Sequence, residues 1–160
     1  MLKEKLRLYL DDVRTPTEEG WNVVRNYNEF VNFINMNGLE SIELISLDHD
    51  LGDEAMVEYY TNVKNNFTLD YNNIKEEKTG YDCCKFLVEV SMLKNIPLPQ
   101  IFIHSNNPIG STNMMGYINN YLKNCRLPQN CSLQKQPHII DESHLISPEA
   151  RKAKWDRSIK

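Results

Sequence analysis

The chain has 160 residues, with 18 Lys and Arg against 22 Asp and Glu, a formal net charge of -4 and 41% hydrophobic residues. These values predict one globular domain over 1–160 with a continuous core, and they exclude disorder along most of the length. The charge is uneven: Glu149 to Lys160 holds five basic and two acidic residues, a basic tail on an acidic body, which disfavours a general nucleic-acid coat protein. No stretch approaches the roughly 18 consecutive apolar residues of a membrane span, and the start MLKEKLRLYLDD turns to charge where a signal peptide would have its apolar core. A cytoplasmic protein with no membrane association is expected. Cys83, Cys84, Cys125 and Cys131 form no CxxC pair, which points to buried thiols and away from structural zinc or disulfides.

Leu6 to Leu10 (LRLYL) is an apolar run ending in Asp11-Asp12, and it reads as a buried strand stopping at an acidic turn. Trp21 to Arg25 has strand composition. Asn28 can cap a helix whose Phe30, Val31, Phe33 and Ile34 share one face before Gly38 ends it. Ile42 to Leu47 is again strand-like and ends in Asp48-His49-Asp50-Leu51-Gly52. Asp53 to Lys78 is an insertion rich in Asn, Tyr, Glu and Lys, much longer than an ordinary loop. Its position after Asp48-His49-Asp50 suits a lid, a substrate-binding element or a contact for a protein partner, and a solvated loop equally. Thr79 can cap a helix from about Tyr81 to Lys94, with Cys84, Leu87, Val88 and Met92 at helical spacing. Ile101 to Ile103 is a further strand ending in His104-Ser105-Asn106-Asn107-Pro108, and a helix follows over Asn113 to Lys123. Beyond Lys123 the periodicity of a fifth strand is poor.

Strands alternating with helices predict an α/β fold, a parallel sheet with helices on both faces, and its ligand site lies outside the carboxyl ends of the strands. Asp11-Asp12, Asp48-His49-Asp50 and His104-Ser105 follow three of the apolar runs and converge on that edge. Carboxylates from Asp11, Asp12 and Asp48 make a hard oxygen site suited to Mg²⁺ or Mn²⁺. His49 and His104 are either hydrogen-bonded structural groups or an acid and base pair, since imidazole titrates near working pH. Ser105 and Asn107 add neutral donors, and the turn before Asn113 either holds a phosphate oxygen or simply caps the helix. An acidic site repels phosphate unless a cation reverses the local field, and Arg14 supplies further positive charge.

The combination LYLDDVRTP, SLDHDLG, TGYDCCKFL and IFIHSNNPIGSTNM resembles the cyclic-phosphate-processing receiver-like family, an offshoot of response-regulator receiver domains, over about Leu6 to Tyr121. The resemblance implies a flavodoxin-like sheet with an acidic Mg²⁺ site at Asp11, Asp12 and Asp48. It places Asp48 at the phospho-accepting position and Ser105 at the hydroxyl position, with His49 and His104 as the residues that set this family apart. It also implies processing of cyclic phosphates on nucleotides or RNA ends. The chain departs from ordinary receivers in two respects. The stretch from Asp12 to Trp21 is too short and broken for a first helix, and Lys135 is the sole candidate for the lysine that ends a fifth strand.

The reading that follows is a metal-dependent phosphoesterase acting on a cyclic phosphate of a nucleotide or RNA terminus. In it Asp11, Asp12 and Asp48 hold the cation, His49 and His104 act as acid and base, and Asp50 orients His49 or completes the metal shell. Arg14, Ser105 and Asn107 contact the phosphate. The alternatives are a signalling receiver phosphorylated on Asp48, and a non-catalytic module that binds a cyclic nucleotide or a protein through 53–78.

Overall fold

The computed structural model describes residues 4–75 and 77–135. The tail 149–160, His138 and His144 therefore lie outside the described residues. Strands β1 (Leu6–Leu10), β2 (Trp21–Val24), β3 (Ile42–Leu47), β4 (Gln100–Ile103) and β5 (Leu133–Lys135) form one sheet in the order β2-β1-β3-β4-β5, with every neighbouring pair parallel. This is a receiver-like, flavodoxin-like α/β sheet, and strand order reverses at β1 and β3, so a crevice opens beyond their carboxyl ends.

The helices are α1 (Tyr27–Asn37), α2 (Asp53–Glu58), α3 (Lys64–Asn66), α4 (Gly80–Lys94) and α5 (Pro108–Asn124). Alternation along the strands sends Leu8, Leu10, Ile45, Leu47, Ile101 and Ile103 to one face, where they form a buried cluster with Phe30 and Ile34 of α1, Leu87 of α4 and Met114 and Ile118 of α5. Two helical layers are expected from the sequence, but these three helices make one layer. On the other face Arg7 of β1 pairs with Glu18 of the segment joining β1 to β2. That segment crosses over without a helix, as the broken sequence after Asp12 implies.

Three helix starts show why boundaries are hard to read. Asn26, not Asn28, caps α1 by accepting from Glu29 N at 2.9 Å, and Gly38, with φ of 84°, ends it. Thr79 caps α4 as anticipated, within a reciprocal capping box with Asp82. Helix α5 begins five residues before Asn113, because Asn107 caps it and Pro108 occupies a first-turn position whose N–H would have no partner anyway. The fifth strand exists but is three residues long and sits at the sheet edge. No described helix is long and apolar enough to cross a membrane.

Candidate active site

The ladder of the sheet continues one residue past the strands that build the site. Asp11 N donates to Val24 O, Asp48 N to Leu10 O and His104 N to Leu47 O, at 3.1, 3.0 and 3.0 Å. These bonds hold the three residues in register at one edge, as the sequence predicts.

Asp11 is fully buried and uses both oxygens. Its Oδ1 accepts from Val13 N (3.0 Å) and Arg14 N (2.7 Å), while Oδ2 accepts from Arg14 Nε (2.7 Å) and His104 Nε2 (3.1 Å). Burial works to raise its pKa, yet the His104 bond and the Arg14 charge outweigh it and hold the carboxyl at about 2. His104 is buried as well. Its Nδ1 pairs with Ser46 Oγ at 2.7 Å, and its ring stacks on Tyr9 with centroids 4.5 Å apart. Desolvation lowers its pKa in spite of Asp11, so the neutral ring donates from Nε2 and accepts the Ser46 hydroxyl at Nδ1. Of the two readings that the sequence leaves open for His104, this geometry favours the hydrogen-bonded structural group.

Arg14 is buried and bridges two carboxylates, with Nε on Asp11 and Nη2 3.4 Å from Asp48 Oδ1. Although its own burial opposes charge, Asp48 and Asp11 keep the guanidinium firmly protonated. Asp48 Oδ1 also accepts from His49 N at 2.8 Å. Burial, reinforced by Asp11, pushes the Asp48 pKa well up.

His49 has no exposed surface either. Its Nδ1 lies 2.7 Å from Asp50 Oδ1 and its Nε2 2.9 Å from the Tyr71 hydroxyl, which also accepts from Asn113 Nδ2 at 3.2 Å. Gly110 packs against the ring so closely that a Cβ there would come within 2.4 Å of it. Asn107 donates to Asp50 from Nδ2 and accepts from Gly110 N, so it braces Asp50 and caps α5. Tyr71 comes from the insertion, 22 residues away. Its 3₁₀ turn, Tyr71–Asn73, is set by buried Glu58, which accepts from Asn62 Nδ2, Asp70 N and Asn73 Nδ2 at 2.9 to 3.0 Å. Described residues of the insertion therefore form a wall of the site.

A cavity of about 140 Å³ lies among Asp12, Arg14, Asp48, Asp50, Ser105 and Asn106, closed on the insertion side by Met56, Tyr59 and Tyr60. Of the residues singled out in the sequence, Asp12, Arg14, Asp48, Asp50 and Ser105 face it. Asp11, His49, His104 and Asn107 stand behind that wall with their polar atoms engaged. Asn106 and the two tyrosines are additions. The sequence marks the insertion as a possible lid, but nothing in its spacing distinguishes these tyrosines from their neighbours.

Asp11, Asp12 and Asp48 present carboxylate oxygens within 4.8 Å of one another. A divalent cation suits this donor set, since it would relieve the raised pKa of Asp48. Asp11 already accepts four hydrogen bonds, whereas Asp12 and Asp48 line the cavity, so these two are the residues that would hold it directly.

The family model described as cyclic-phosphate processing Receiver domain matches residues 6–120. The chain belongs to this family. The match covers β1 through most of α5 and includes the insertion, so every side chain of the cavity belongs to the cyclic-phosphate processing receiver domain. Comparison with curated proteins and with solved structures returns no match. The likeness to ordinary receivers calls for a lysine that ends the fifth strand; here Lys135 is exposed on the edge strand, and among the described residues Arg14 is a cation paired with Asp48.

Proposed function

We propose that this receiver domain is a metal-dependent phosphoesterase that opens a cyclic phosphate. The observation that carries the reading is the cavity itself, where three carboxylates, one guanidinium, Ser105 and Asn106 surround a space of phosphate size. Asp12 and Asp48 would hold a Mg²⁺ or Mn²⁺ ion, whose charge would offset the carboxylate field and polarise a phosphoryl oxygen. Arg14, through N–H groups beyond those on Asp11 and Asp48, and Ser105 and Asn106 donate to the remaining phosphoryl oxygens.

Asp50 is the group placed to take a proton from the attacking water. Its side chain is 19% exposed into the site, and its rear is fixed by His49 and Asn107. As water adds to phosphorus, the ring P–O bond breaks and its electron pair leaves with the ribose oxygen, which takes a proton from solvent; the product is a phosphomonoester. His49 aims Asp50, and His104 aims Asp11 and through it Arg14. Both histidines are positioning residues in this scheme, since their ring nitrogens are engaged away from the cavity.

The test is incubation of the purified chain with Mn²⁺ or Mg²⁺ and a panel of cyclic phosphates, including 2',3'-cyclic nucleotides. Ring opening that is lost in Asp50→Asn and on chelation supports the reading. A wild-type protein inactive across the panel refutes it.

A further inference from the structure

A cavity of about 140 Å³ takes a phosphate, whereas sites that enclose a small organic ligand span roughly 300–1,000 Å³. The remainder of a cyclic-phosphate substrate must therefore lie outside it. A second groove of about 320 Å³ begins at Tyr71, whose hydroxyl touches His49, itself bonded to Asp50 in the cavity wall. Its surface combines stacked aromatic rings with lysines. Tyr71 and Tyr81 lie 5.2 Å apart at 20°, Lys85 Nζ sits 4.7 Å over Tyr81, and Lys75 and Lys78 line the same groove.

Among the described residues two acids also line it, and both are directed into helix starts. Glu77 accepts from Glu54 N and Ala55 N at the head of α2, and Asp82 accepts from Thr79 N at the head of α4. The three lysines are exposed, and the ring contacts of Lys78 on Tyr27 and Lys85 on Tyr81 are weak enough to exchange for a phosphate. Aromatic faces beside a track of cations are the chemistry that single-stranded nucleic acid uses without sequence preference.

We infer that the groove from Tyr71 to Lys85 holds the strand of a single-stranded RNA whose cyclic-phosphate end enters the acidic cavity. This inference rests on the phosphoesterase reading for the role of the end, but the strand site is tested by binding alone. The probe is a 5'-labelled oligoribonucleotide of about ten residues, followed by fluorescence anisotropy with the full chain and Mg²⁺, against a cyclic mononucleotide as competitor. The strand binds at least about tenfold tighter than the mononucleotide. Lys78→Glu with Lys85→Glu weakens it about tenfold and flattens its salt dependence, by roughly 0.7 in log–log slope for each phosphate no longer neutralised. Tyr81→Leu weakens it independently of charge.

Circular dichroism checks that each variant folds. If the charge reversal does not fold, Lys78→Gln with Lys85→Gln gives the same loss in smaller measure. Equal affinity for strand and mononucleotide overturns the inference, as do variants that bind the strand like wild type. An acidic peptide bound as tightly, and lost with the same substitutions, also overturns it by making the groove a protein-docking surface. Strand binding without ring opening refutes the phosphoesterase reading and leaves the groove standing. Ring opening of mononucleotides with no strand preference refutes only the groove.

Discussion

Arg14→Met removes the guanidinium that bridges Asp11 and Asp48 while keeping a side chain of similar length. With an effective dielectric of about 20, unit charges at the observed 2.7 Å between Arg14 and Asp11 attract by roughly 6 kcal/mol, and the Asp48 contact at 3.4 Å adds to this in proportion to the ionisation of that carboxyl. Desolvation of a buried guanidinium offsets much of that, and removing one partner of a buried pair costs about 3–5 kcal/mol net. A domain of this size is stable by only about 5–15 kcal/mol, so the variant sits near the edge of folding. Urea unfolding at pH 7 with a chelator present measures the cost, and Asp48→Asn completes a double-mutant cycle. Because the arginine then has one carboxylate fewer to serve, the cycle yields a coupling of about 1–3 kcal/mol. Mg²⁺ supplies positive charge at Asp12 and Asp48 and narrows the gap between variant and wild type. A cost below about 1 kcal/mol without metal, or no coupling with Asp48, refutes the assignment of Arg14 as the internal counter-charge.

Three other outcomes are expected. Asp11, held at about 2 against its ordinary 3.8, contributes about 2 kcal/mol that is fully present above pH 4 and lost as pH falls toward 2. Acid unfolding of Asp11→Asn, followed by tryptophan fluorescence, therefore shows a shallower pH dependence than wild type below about pH 4, while the acid lability that the buried neutral His104 contributes below its ordinary 6.5 remains. Tyr71→Phe retains the stack on Tyr81 and removes the hydroxyl from His49 Nε2. It costs roughly 1 kcal/mol in urea unfolding and lowers kcat in the cyclic-phosphate assay more than it changes KM. Since burial raises the Asp48 pKa, titration with Mg²⁺ releases a proton. Calorimetry in two buffers of different ionisation enthalpy reads this release, which shrinks as pH increases and vanishes in Asp48→Asn.

The sheet was legible because β1, β3 and β4 are buried, so LRLYL, IELISL and IFI stand out as apolar runs. The edge of the site was legible for the same reason, as polarity begins where each run stops. Strand β5 stays uncertain in the sequence because Leu133–Lys135 is short, lies at an edge and is mostly exposed, which leaves little pattern. Facing was the harder quantity. His49 and His104 occupy strand-end positions like those of Asp12 and Ser105, but whether a side chain there enters the cavity or the layer behind it depends on Tyr9, Gly110 and Tyr71, which reach the two rings across long sequence separations. Asn106 and Asn107 differ by one residue and exchange roles, because capping α5 claims the second of them.

The insertion is closed at its base. Glu77 fastens its far end to the first amides of α2, and Gly80 N donates to His49 O at 2.8 Å, so the chain leaves and re-enters the domain at nearly one point. Inside this clasp its order comes mainly from Glu58 and its own asparagines, whereas the carboxylates, Arg14 and both histidines belong to the rest of the chain. Provided that Tyr71 and its bond to His49 are kept, such a segment can be exchanged, lengthened or rewritten by mutation with little disturbance to the acidic centre. In evolutionary terms, the proposed chemistry and most of the wall around it lie in separable stretches of the gene, and divergence among proteins of this design is expected to concentrate between Asp53 and Lys78, with Tyr71 excepted.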